Sequence, residues 1–424
     1  MGQAITLDGV LRSGPPEVLL DLSDEQRALQ QLAHEFAVRE IRPVAAHYDE
    51  TEEPPWDVLW KAAEVGLSCA ELPEKYGGGG ITSLVTSCLI GEELSWGDPA
   101  ITSFISSSPF FADPVVELGT PEQAARWVPQ MCGLRPKLGA TASTEPDAGS
   151  DASAMRTAAV RDGSGYVING QKTWISLAGV AELYLVFATT APGTRSKGIT
   201  AFVVESGDPG FRIGRRLGKL GQRCNPTGEL FFEDCRLPAD RRIGEEGAGF
   251  AGLMRLFDRS RVALAASEVG MGRAALEYAV WYAGQRSTWG SPIHNYQAVS
   301  FRLVDVKMKL DQARLMTYHA ARLADAGRPF TTESAMAKLA ASEAAWYSAW
   351  ACCQTLGGYG YSREYPAERF LRDAKLEELW EGTSDIMRLV IARALFPRER
   401  SETAPPGERG ISAPVPSASH IFST

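Results

Sequence analysis

The sequence has few histidines and no patterned cysteines, and both absences exclude kinds of site. Its 424 residues contain 5 histidines and 7 cysteines. The histidines form no H-x-x-x-H group, and the cysteines, including the adjacent Cys352 and Cys353, form no C-x-x-C pair. Zinc sites and disulfide frameworks are recognised by such spacings. We therefore expect no metal site and reduced, buried thiols.

Excess positive charge and long apolar runs are also absent. Lysine and arginine total 43 against 52 acidic residues, giving a formal charge of −9. Nucleic acid binding needs a basic surface, so nucleic acid is not an expected partner. No apolar stretch approaches the ~20 residues that cross a bilayer. Residues 1–20 do not resemble a targeting peptide, which predicts a cytoplasmic protein without a membrane span. Met1–Thr6 matches the loose myristoylation pattern, but without a polybasic second signal.

The texture of the chain predicts a mostly α protein with a β domain in the middle. Length alone allows two or three domains. We expect an N-terminal extension (1–20), a helical domain (21–133), a β domain (134–245), a C-terminal four-helix bundle (246–397) and a disordered tail (398–424). Capping boxes at Ser23–Gln26 and Thr120–Gln123 each begin a helix in the first domain. Further helical segments there are 57–65 and 90–94.

The middle and last domains differ in hydrophobic period. Short β-rich runs bounded by glycine, proline or charge occupy 165–170, 183–188, 199–204 and 229–232. Helical periodicity then covers 250–287, 296–326, 332–356 and 384–396. Two glycine motifs are set aside. Gly270–Ala275 imitates a dinucleotide fingerprint but follows no strand, so helix packing is expected, and Gly77–Gly80 predicts a flexible turn.

Glu381 is the strongest candidate for catalysis. It follows Trp380, and an indole that displaces water from a carboxylate raises its pKa toward the range of a general base. The apolar run after Gly382 and Thr383 predicts a helix, whose first N–H groups are free to hold an anion or a polar ligand edge. In the alternative interpretation, Thr383 or Ser384 is an ordinary N-cap and Glu381 is a solvated loop acid.

Several segments occur in the order found in one enzyme family. From about Leu22 to Leu395 the chain resembles the acyl-CoA dehydrogenases at Gly119–Gln123, Thr144–Asp151, Gly170–Ile175, Lys219–Arg223, Gln285–Gly290, Gly357–Tyr361 and Trp380–Thr383. A series of matches in order is far more specific than one. The resemblance implies bound FAD, α,β-dehydrogenation of an acyl thioester on coenzyme A or acyl carrier protein, and electron-transfer flavoprotein as acceptor.

The resemblance also implies roles for residues around the substrate. Glu381 is the base that removes the α-proton, while a backbone amide beside it and a flavin ribityl hydroxyl stabilise the enolate oxygen. Some relatives take the base from the position of Ser260, but a serine hydroxyl cannot act alone. Asp258 and Arg261 line the thioester end, or else form an i, i+3 ion pair. Ser150 contacts substrate or caps a turn, and Trp380 shapes the pocket.

For the cofactor, the resemblance implies three groups of residues. The flavin ring is bonded by Thr141, Ser143 and Thr144 and covered by Trp174 and Ser176. The ADP half is held across a subunit boundary, implying a homodimer or homotetramer, by Arg286, Thr288, Trp289, Gln354, Gly357 and Gly358, where Arg286 suits a pyrophosphate. Bundle packing around Trp289 and a glycine turn are the alternative. Thr383 and Asp385 complete the adenine side.

Three positions depart from the family pattern: Leu177 replaces asparagine, Trp380 replaces tyrosine and Asp385 replaces glutamine. The first two are expected to reshape the pocket. An oxidase or flavin monooxygenase on the same fold is an alternative function, although Glu381 argues against the monooxygenase. A catalytically silent binding or scaffold protein is a third interpretation. Glu145, in the same loop as the flavin ligands, is expected to be structural.

Overall fold

Helices form the N-terminal part of the chain. The computed structural model describes residues 21–396. Its first helices are α1 (Asp24–Phe36), α2 (Ala45–Thr51), α3 (Trp56–Glu64), α4 (Leu84–Gly97), α5 (Pro99–Ile105), α6 (Ser108–Leu118) and α7 (Pro121–Trp127). The segments expected at 57–65 and 90–94 lie in α3 and α4. The N-terminal extension with its myristoylation pattern, and the expected disordered tail, lie outside the described residues.

Both predicted capping boxes are present. The Ser23 hydroxyl accepts the Gln26 amide, and the Gln26 side chain accepts the Ser23 amide, each at 3.1 Å. Thr120 and Gln123 exchange the same two bonds at 3.3 and 2.8 Å. Because each box satisfies two N–H groups that lack helical partners, these helix starts could be read from local sequence.

One eight-stranded sheet forms the middle of the chain. Its strands are β1 (Gly139–Ala142), β2 (Ala158–Asp162), β3 (Gly165–Ser176), β4 (Leu183–Thr189), β5 (Ile199–Glu205), β6 (Phe211–Arg216), β7 (Thr227–Pro238) and β8 (Arg242–Ile243). The order is β6-β7-β3-β2-β4-β5-β8, and β1 pairs in parallel with β4. The four predicted runs lie in β3, β4, β5 and β7. The other four strands were not predicted.

Long helices form the C-terminal part. They are α8 (Gly249–Gln285), α9 (Gln297–Asp325), α10 (Thr331–Leu356), α11 (Ala367–Glu377) and α12 (Ser384–Leu395), with a short hairpin of β9 (Ser287–Thr288) and β10 (Ser291–Pro292) after α8. The four predicted helices are confirmed. The structure adds α11, which was not predicted although its buried residues Ala367, Phe370 and Ala374 recur at helical spacing.

Glycine lets α4 and α8 approach closely at one point. A Cβ on Gly270 would lie 2.0 Å from the carbonyl oxygen of Glu92 in α4, so no other residue fits without a shift. The Gly270–Ala275 run therefore serves helix packing, as expected. Gly77–Gly80 forms a turn, in which Gly77 and Gly80 have φ of 93° and 71°.

Two general expectations can be compared with the described residues. All seven cysteines are unpaired thiols, and five of them are buried. Between residues 21 and 396, no helix has both the length and the apolar character needed to cross a membrane.

Candidate active site

Glu381 lies in the turn between α11 and α12. Its backbone is left-handed, with φ of 52°, and Gly382 follows with φ of 99°. Thr383 is the N-cap of α12, because its hydroxyl accepts the amide of Ile386 at 3.2 Å. The predicted helix start is therefore confirmed. Glu381 is partly buried rather than a solvated loop acid.

Two consecutive residues of α8 hold Glu381 from the bundle side. The Ser260 hydroxyl donates to Oε2 of Glu381 at 2.9 Å. The Nε of Arg261 donates to the carbonyl oxygen of Glu381 at 3.0 Å. Both α8 residues are buried. Sequence reasoning considered Ser260 only as a possible base and missed it as a partner of the glutamate, because the two residues are far apart in the chain.

The surroundings act on the Glu381 carboxyl in opposite directions. Burial raises its pKa above the ordinary value of a glutamate. The Ser260 hydrogen bond and the positive charges of Arg261 and Lys338 lower the pKa and so limit that rise. The result is a carboxylate with weakened hydration and a higher proton affinity than a solvated glutamate, which are the properties of a general base.

Asp258 is linked to Glu381 by way of Arg261. Its carboxylate lies 3.5 Å from the Arg261 guanidinium, so the i, i+3 ion pair exists. The same carboxylate accepts the Thr331 hydroxyl at 2.6 Å. Arg261 thus connects Asp258 with the Glu381 backbone, and the ion-pair and site interpretations are compatible.

Buried polar residues lie behind the same turn and were not predicted. The indole N–H of Trp380 donates to Oε2 of Glu377 at 2.7 Å. The ammonium of Lys338 donates to the carbonyl oxygens of Glu377 and Gly382, the latter at 3.1 Å. Lys338 is the only basic residue of the alanine-rich helix α10, which is the sequence signal that could have found it.

The Thr141–Thr144 loop is held by a buried lysine of β3. Lys172 donates to the Ser143 carbonyl at 3.1 Å and to Glu145 at 2.8 Å. Glu145 also accepts the amides of Arg156 and Thr157 at 2.6 and 2.9 Å. Burial lowers the pKa of Lys172 to about 8, with Glu145 opposing that effect. Glu145 therefore has a structural role, as expected.

The loop leaves some groups free and engages others. The Thr141 hydroxyl donates to the carbonyl of Phe110 at 2.6 Å, so toward a ligand its oxygen can only accept. The carbonyl of Thr144 accepts the amide of Thr173 at 3.0 Å, which fixes the loop against β3. The Thr144 side chain is partly exposed and its hydroxyl enters no hydrogen bond within residues 21–396.

Trp174 is the unusual residue of β3. Its side chain is 61% exposed and its backbone has φ of 58°, whereas Thr173 and Ile175 beside it are buried. Leaving an indole in water forgoes the stabilisation that its burial would give. A planar aromatic ligand stacked on Trp174 would restore it. Ser176 lies near the end of the same strand and is partly buried, while Leu177 is buried.

Within residues 21–396, no hydrogen bond or ion pair joins Glu381 to the residues expected to bind the ADP half. Trp289 is 88% exposed in the β9–β10 hairpin, with φ of 48°. Arg286 is exposed at the end of α8, and both it and Tyr359 act on the pKa of Tyr282, which burial raises. Arg286 and Tyr359 therefore both lie near Tyr282 of α8. The other members are partly buried Thr288 and exposed Gln354, Gly357 and Gly358.

Open space surrounds the glycines of this group. A Cβ on Gly357 or Gly358 would meet no atom within 4 Å. Two predicted residues are exposed elsewhere: Ser150 in the loop before β2, and Asp385, whose carboxylate is 95% exposed and 3.8 Å from Arg388. The structure thus brings together Glu381, Trp380, Asp258, Arg261 and Thr383, but it gives no contact between them and Ser150 or Asp385.

Comparisons with protein families cover nearly all the described residues. Residues 23–134 match "Acyl-CoA dehydrogenase, N-terminal domain", residues 140–235 match "Acyl-CoA dehydrogenase, middle domain", and residues 247–396 match "Acyl-CoA dehydrogenase, C-terminal domain". These matches follow the helical, β and helical parts of the fold in order.

Individual proteins show the same similarity. The mitochondrial short-chain specific acyl-CoA dehydrogenase of Bos taurus is 41% identical over 384 residues, which are 90% of this chain and 92% of that protein. A chain solved in work on the electron transferring flavoprotein of Acidaminococcus fermentans has a TM-score of 0.86 and 37% identity, covering 90% of this chain and 100% of its own. An FAD complex of PigA has a TM-score of 0.85 and 30% identity, covering 89% and 99%.

Proposed function

The chain belongs to the acyl-CoA dehydrogenase family, and from that premise we propose that it desaturates a short acyl thioester with Glu381 as the base. It is an FAD-dependent oxidoreductase. The family matches, and the 41% identity to a short-chain dehydrogenase, support the reaction class and a short acyl chain. The bulk of Trp380 beside Glu381 favours a restricted pocket. Coenzyme A is the proposed carrier, and acyl carrier protein is the alternative.

The environment of Glu381 carries this proposal. Ser260 occupies Oε2 of Glu381, which leaves Oε1 to accept a proton from the α-carbon of the thioester. Burial raises the pKa of Glu381, which strengthens it as a base. The α-proton of a thioester is only weakly acidic, so removal also requires stabilisation of the developing negative charge on the carbonyl oxygen.

Backbone amides of the turn are suited to that second task. Within residues 21–396, no hydrogen bond uses the amides of Glu381 or Gly382 as donors. Both belong to the turn that carries the base, so they can donate to the thioester oxygen while Glu381 removes the proton. Arg261, bonded to the Glu381 carbonyl, keeps the turn in place during the transfer.

The residues present fit FAD. Trp174 offers an exposed indole face, the Thr144 hydroxyl and the loop amides offer polar partners, and Arg286 with the open Gly357–Gly358 turn suits a pyrophosphate. When bound, FAD supplies the two-electron acceptor for the hydride of the β-carbon. Trp174 and Ser176 exclude water from the ring, and Thr141 and Ser143 orient it. Thr288, Trp289 and Gln354 hold the ADP half, with Thr383 and Asp385 on the adenine side.

We also propose a homo-oligomer, a dimer or tetramer, in which a second copy completes the ADP site. One face of α9 is apolar and exposed, and its residues Phe301, Val304, Met308 and Leu315 are each more than half accessible. Covering such a stripe by a second copy would remove it from water. Electron-transfer flavoprotein is the proposed electron acceptor, and the cytoplasm the proposed location. Ser150 is proposed to contact the substrate.

The test is anaerobic reduction by a panel of acyl-CoAs, followed as bleaching of the flavin. We expect rapid bleaching by short acyl-CoAs, then slow reoxidation in air. Fast reoxidation with stoichiometric peroxide would identify an oxidase instead. A colourless protein that takes up no FAD would favour a silent binding or scaffold protein and exclude both enzymes.

A further inference from the structure

Three charged residues, one lysine and two glutamates, are buried together behind the turn that carries Glu381. Lys338 of α10 is 0% exposed, Glu268 of α8 is 1% exposed and Glu377 at the end of α11 is 2% exposed. Burying charges costs free energy unless they are paired and hydrogen-bonded. A cluster of this kind, next to the proposed base, needs a reason beyond packing.

Lys338 binds the backbone on both sides of the base. Its ammonium donates to the carbonyl oxygen of Glu377, before Glu381, and to that of Gly382, after it, the latter at 3.1 Å. One side chain therefore fixes the two ends of a six-residue segment. The positive charge also lowers the pKa of Glu381, after the larger effects of burial, Ser260 and Arg261.

Glu377 fixes the same segment through a side chain. Oε2 accepts the indole N–H of Trp380 at 2.7 Å, and Oε1 accepts the side-chain amide of Gln222 at 2.6 Å. Gln222 lies between β6 and β7, and its own oxygen accepts the hydroxyl of Ser103 in α5 at 3.5 Å. Trp380 is thereby tied to residues of both the middle and the N-terminal parts of the chain.

Glu268 and Glu377 face each other inside the cluster, and burial acts on both carboxyls. Burial raises the pKa of its carboxyl well above the usual range, and the charge of Glu377 adds to this. Burial also raises the pKa of Glu377, to about 7, against the hydrogen bonds from Trp380 and Gln222 and the charge of Lys338. Of the two carboxyls, Glu268 therefore holds a proton more tightly, and the positive charge of Lys338 lowers the pKa of both.

The backbone of Glu381 explains what the cluster does. A left-handed φ is strained for a residue with a side chain, and it persists where the surroundings over-determine it. We propose that Glu377 is a positioning residue for catalysis: through Trp380, and with Lys338 on the backbone, it holds Glu381 in the geometry that meets Ser260 and the substrate. This inference rests on the proposed function of Glu381.

The test compares Glu377→Leu with two matched variants. Leucine removes both acceptors, whereas Glu377→Gln keeps one oxygen for the indole N–H. The control is Glu378→Gln, the adjacent acid, which pairs at 2.6 Å with partly exposed Lys375. We expect flavin reduction per bound FAD to fall about 10- to 100-fold in Glu377→Leu, since a small displacement of a catalytic group has such effects. Glu377→Gln should recover most of the rate, and Glu378→Gln should stay within about twofold.

Two further readouts separate positioning from a general structural role. The affinity for an enoyl-CoA product, measured by calorimetry, should change by less than about threefold in Glu377→Leu, because the reaction geometry changes more than the binding. The acidic limb of its pH–rate profile should move to higher pH. Ser260, Arg261 and Lys338, which face Glu381, all lower its pKa, and a displaced carboxylate loses part of that effect.

Trp380→Phe provides a second route, because it deletes the same hydrogen bond from the other partner. If the bond acts as proposed, the double variant with Glu377→Leu should be no slower than the slower single variant. A wild-type rate per bound FAD in both single variants would overturn the inference. So would a loss of product affinity equal to the loss of rate. If the wild-type flavin is reduced by no acyl-CoA, the proposed function fails as well.

Discussion

Two lysines, each fully buried, lie behind the two halves of the site, and they are bonded differently. Lys172 supports the Thr141–Thr144 loop and pairs directly with the Glu145 carboxylate at 2.8 Å. Lys338 supports the Glu381 turn and binds carbonyl oxygens, and no carboxylate within residues 21–396 lies at salt-bridge distance from it.

The two lysines therefore have different effects: Lys172 fixes a loop in place, whereas Lys338 also changes the pKa values of nearby carboxyls. Because the charge of Lys172 is neutralised by its partner, it fixes a loop and has little effect beyond it. The charge of Lys338 is shared among Glu268, Glu377 and Glu381, and it lowers the pKa of each. The cofactor side is thus built for rigidity, while on the catalytic side the same residue type also sets proton affinities.

Glu381→Gln should have the largest effect on activity, and it tests whether the catalytic side can be disabled without affecting the cofactor side. We expect turnover to fall about a thousandfold, the scale of general-base contributions, because the amide cannot accept the α-proton. FAD content should be unchanged, since Lys172 and its loop are untouched. Stopped-flow reduction and visible absorbance measure the two quantities. Substantial turnover in this variant would refute the assignment of the base.

Lys172→Met should disrupt the cofactor side, where Lys172 supports the Thr141–Thr144 loop. It leaves Glu145 buried without its cation, and such losses cost about 3–5 kcal/mol. We expect lower stability in urea and reduced FAD content. The double variant with Glu145→Gln is the control, because it removes the unpaired charge and should recover part of the stability. Equal instability of the single and double variants would contradict the pairing argument.

Ser260→Ala tests the tuning on the catalytic side. Without the hydroxyl, the pKa of Glu381 rises further, because the Ser260 hydrogen bond lowers it. The base is active when ionised, so the rate should fall at acidic pH and recover as pH rises. A hydrogen bond to a charged group predicts roughly a tenfold loss on the acidic limb. An unchanged pH profile would show that Ser260 does not act on the base.

Glu268→Gln should have the smallest effect and concerns stability alone. Burial raises the pKa of Glu268 above its unfolded value of about 4.5, Lys338 opposes that rise, and Glu377 and Glu378 add to it. Wild type therefore loses stability as pH rises above the unfolded pKa, and the glutamine variant does not. We expect the variant to melt higher relative to wild type at pH 8 than at pH 5, by roughly 2–5 °C. A constant difference would contradict a neutral Glu268.

Local signals made much of the fold predictable. The Ser23 and Thr120 boxes marked helix starts because each involves residues only three apart. Strand β6 was missed because Gly214, Arg215 and Arg216 interrupt the alternation that Phe211 and Ile213 begin. In β6, pairing with β7 decides the structure more than local preference. Helix α11 was missed although its apolar residues recur at helical spacing.

The site was predictable only in part, for a related reason. Glu381 and Trp380 are adjacent in sequence, so their position at the same turn could be inferred. Ser260, Lys338 and Gln222 reach the turn only through folding, across separations of up to 155 residues. Two local hints were present. Glu268 is a single glutamate among small and apolar residues, and Lys338 is the only basic residue of α10; such positions predict buried charges.

The bond series Ser103–Gln222–Glu377–Trp380 crosses the chain's three parts. The rate of turnover then reports whether the three parts of the chain have packed together correctly. Molecules in which this series of bonds is broken but the cofactor site is intact would still be yellow, yet they would turn over slowly. The ratio of turnover to colour in a preparation would then count the fraction of molecules correctly put together.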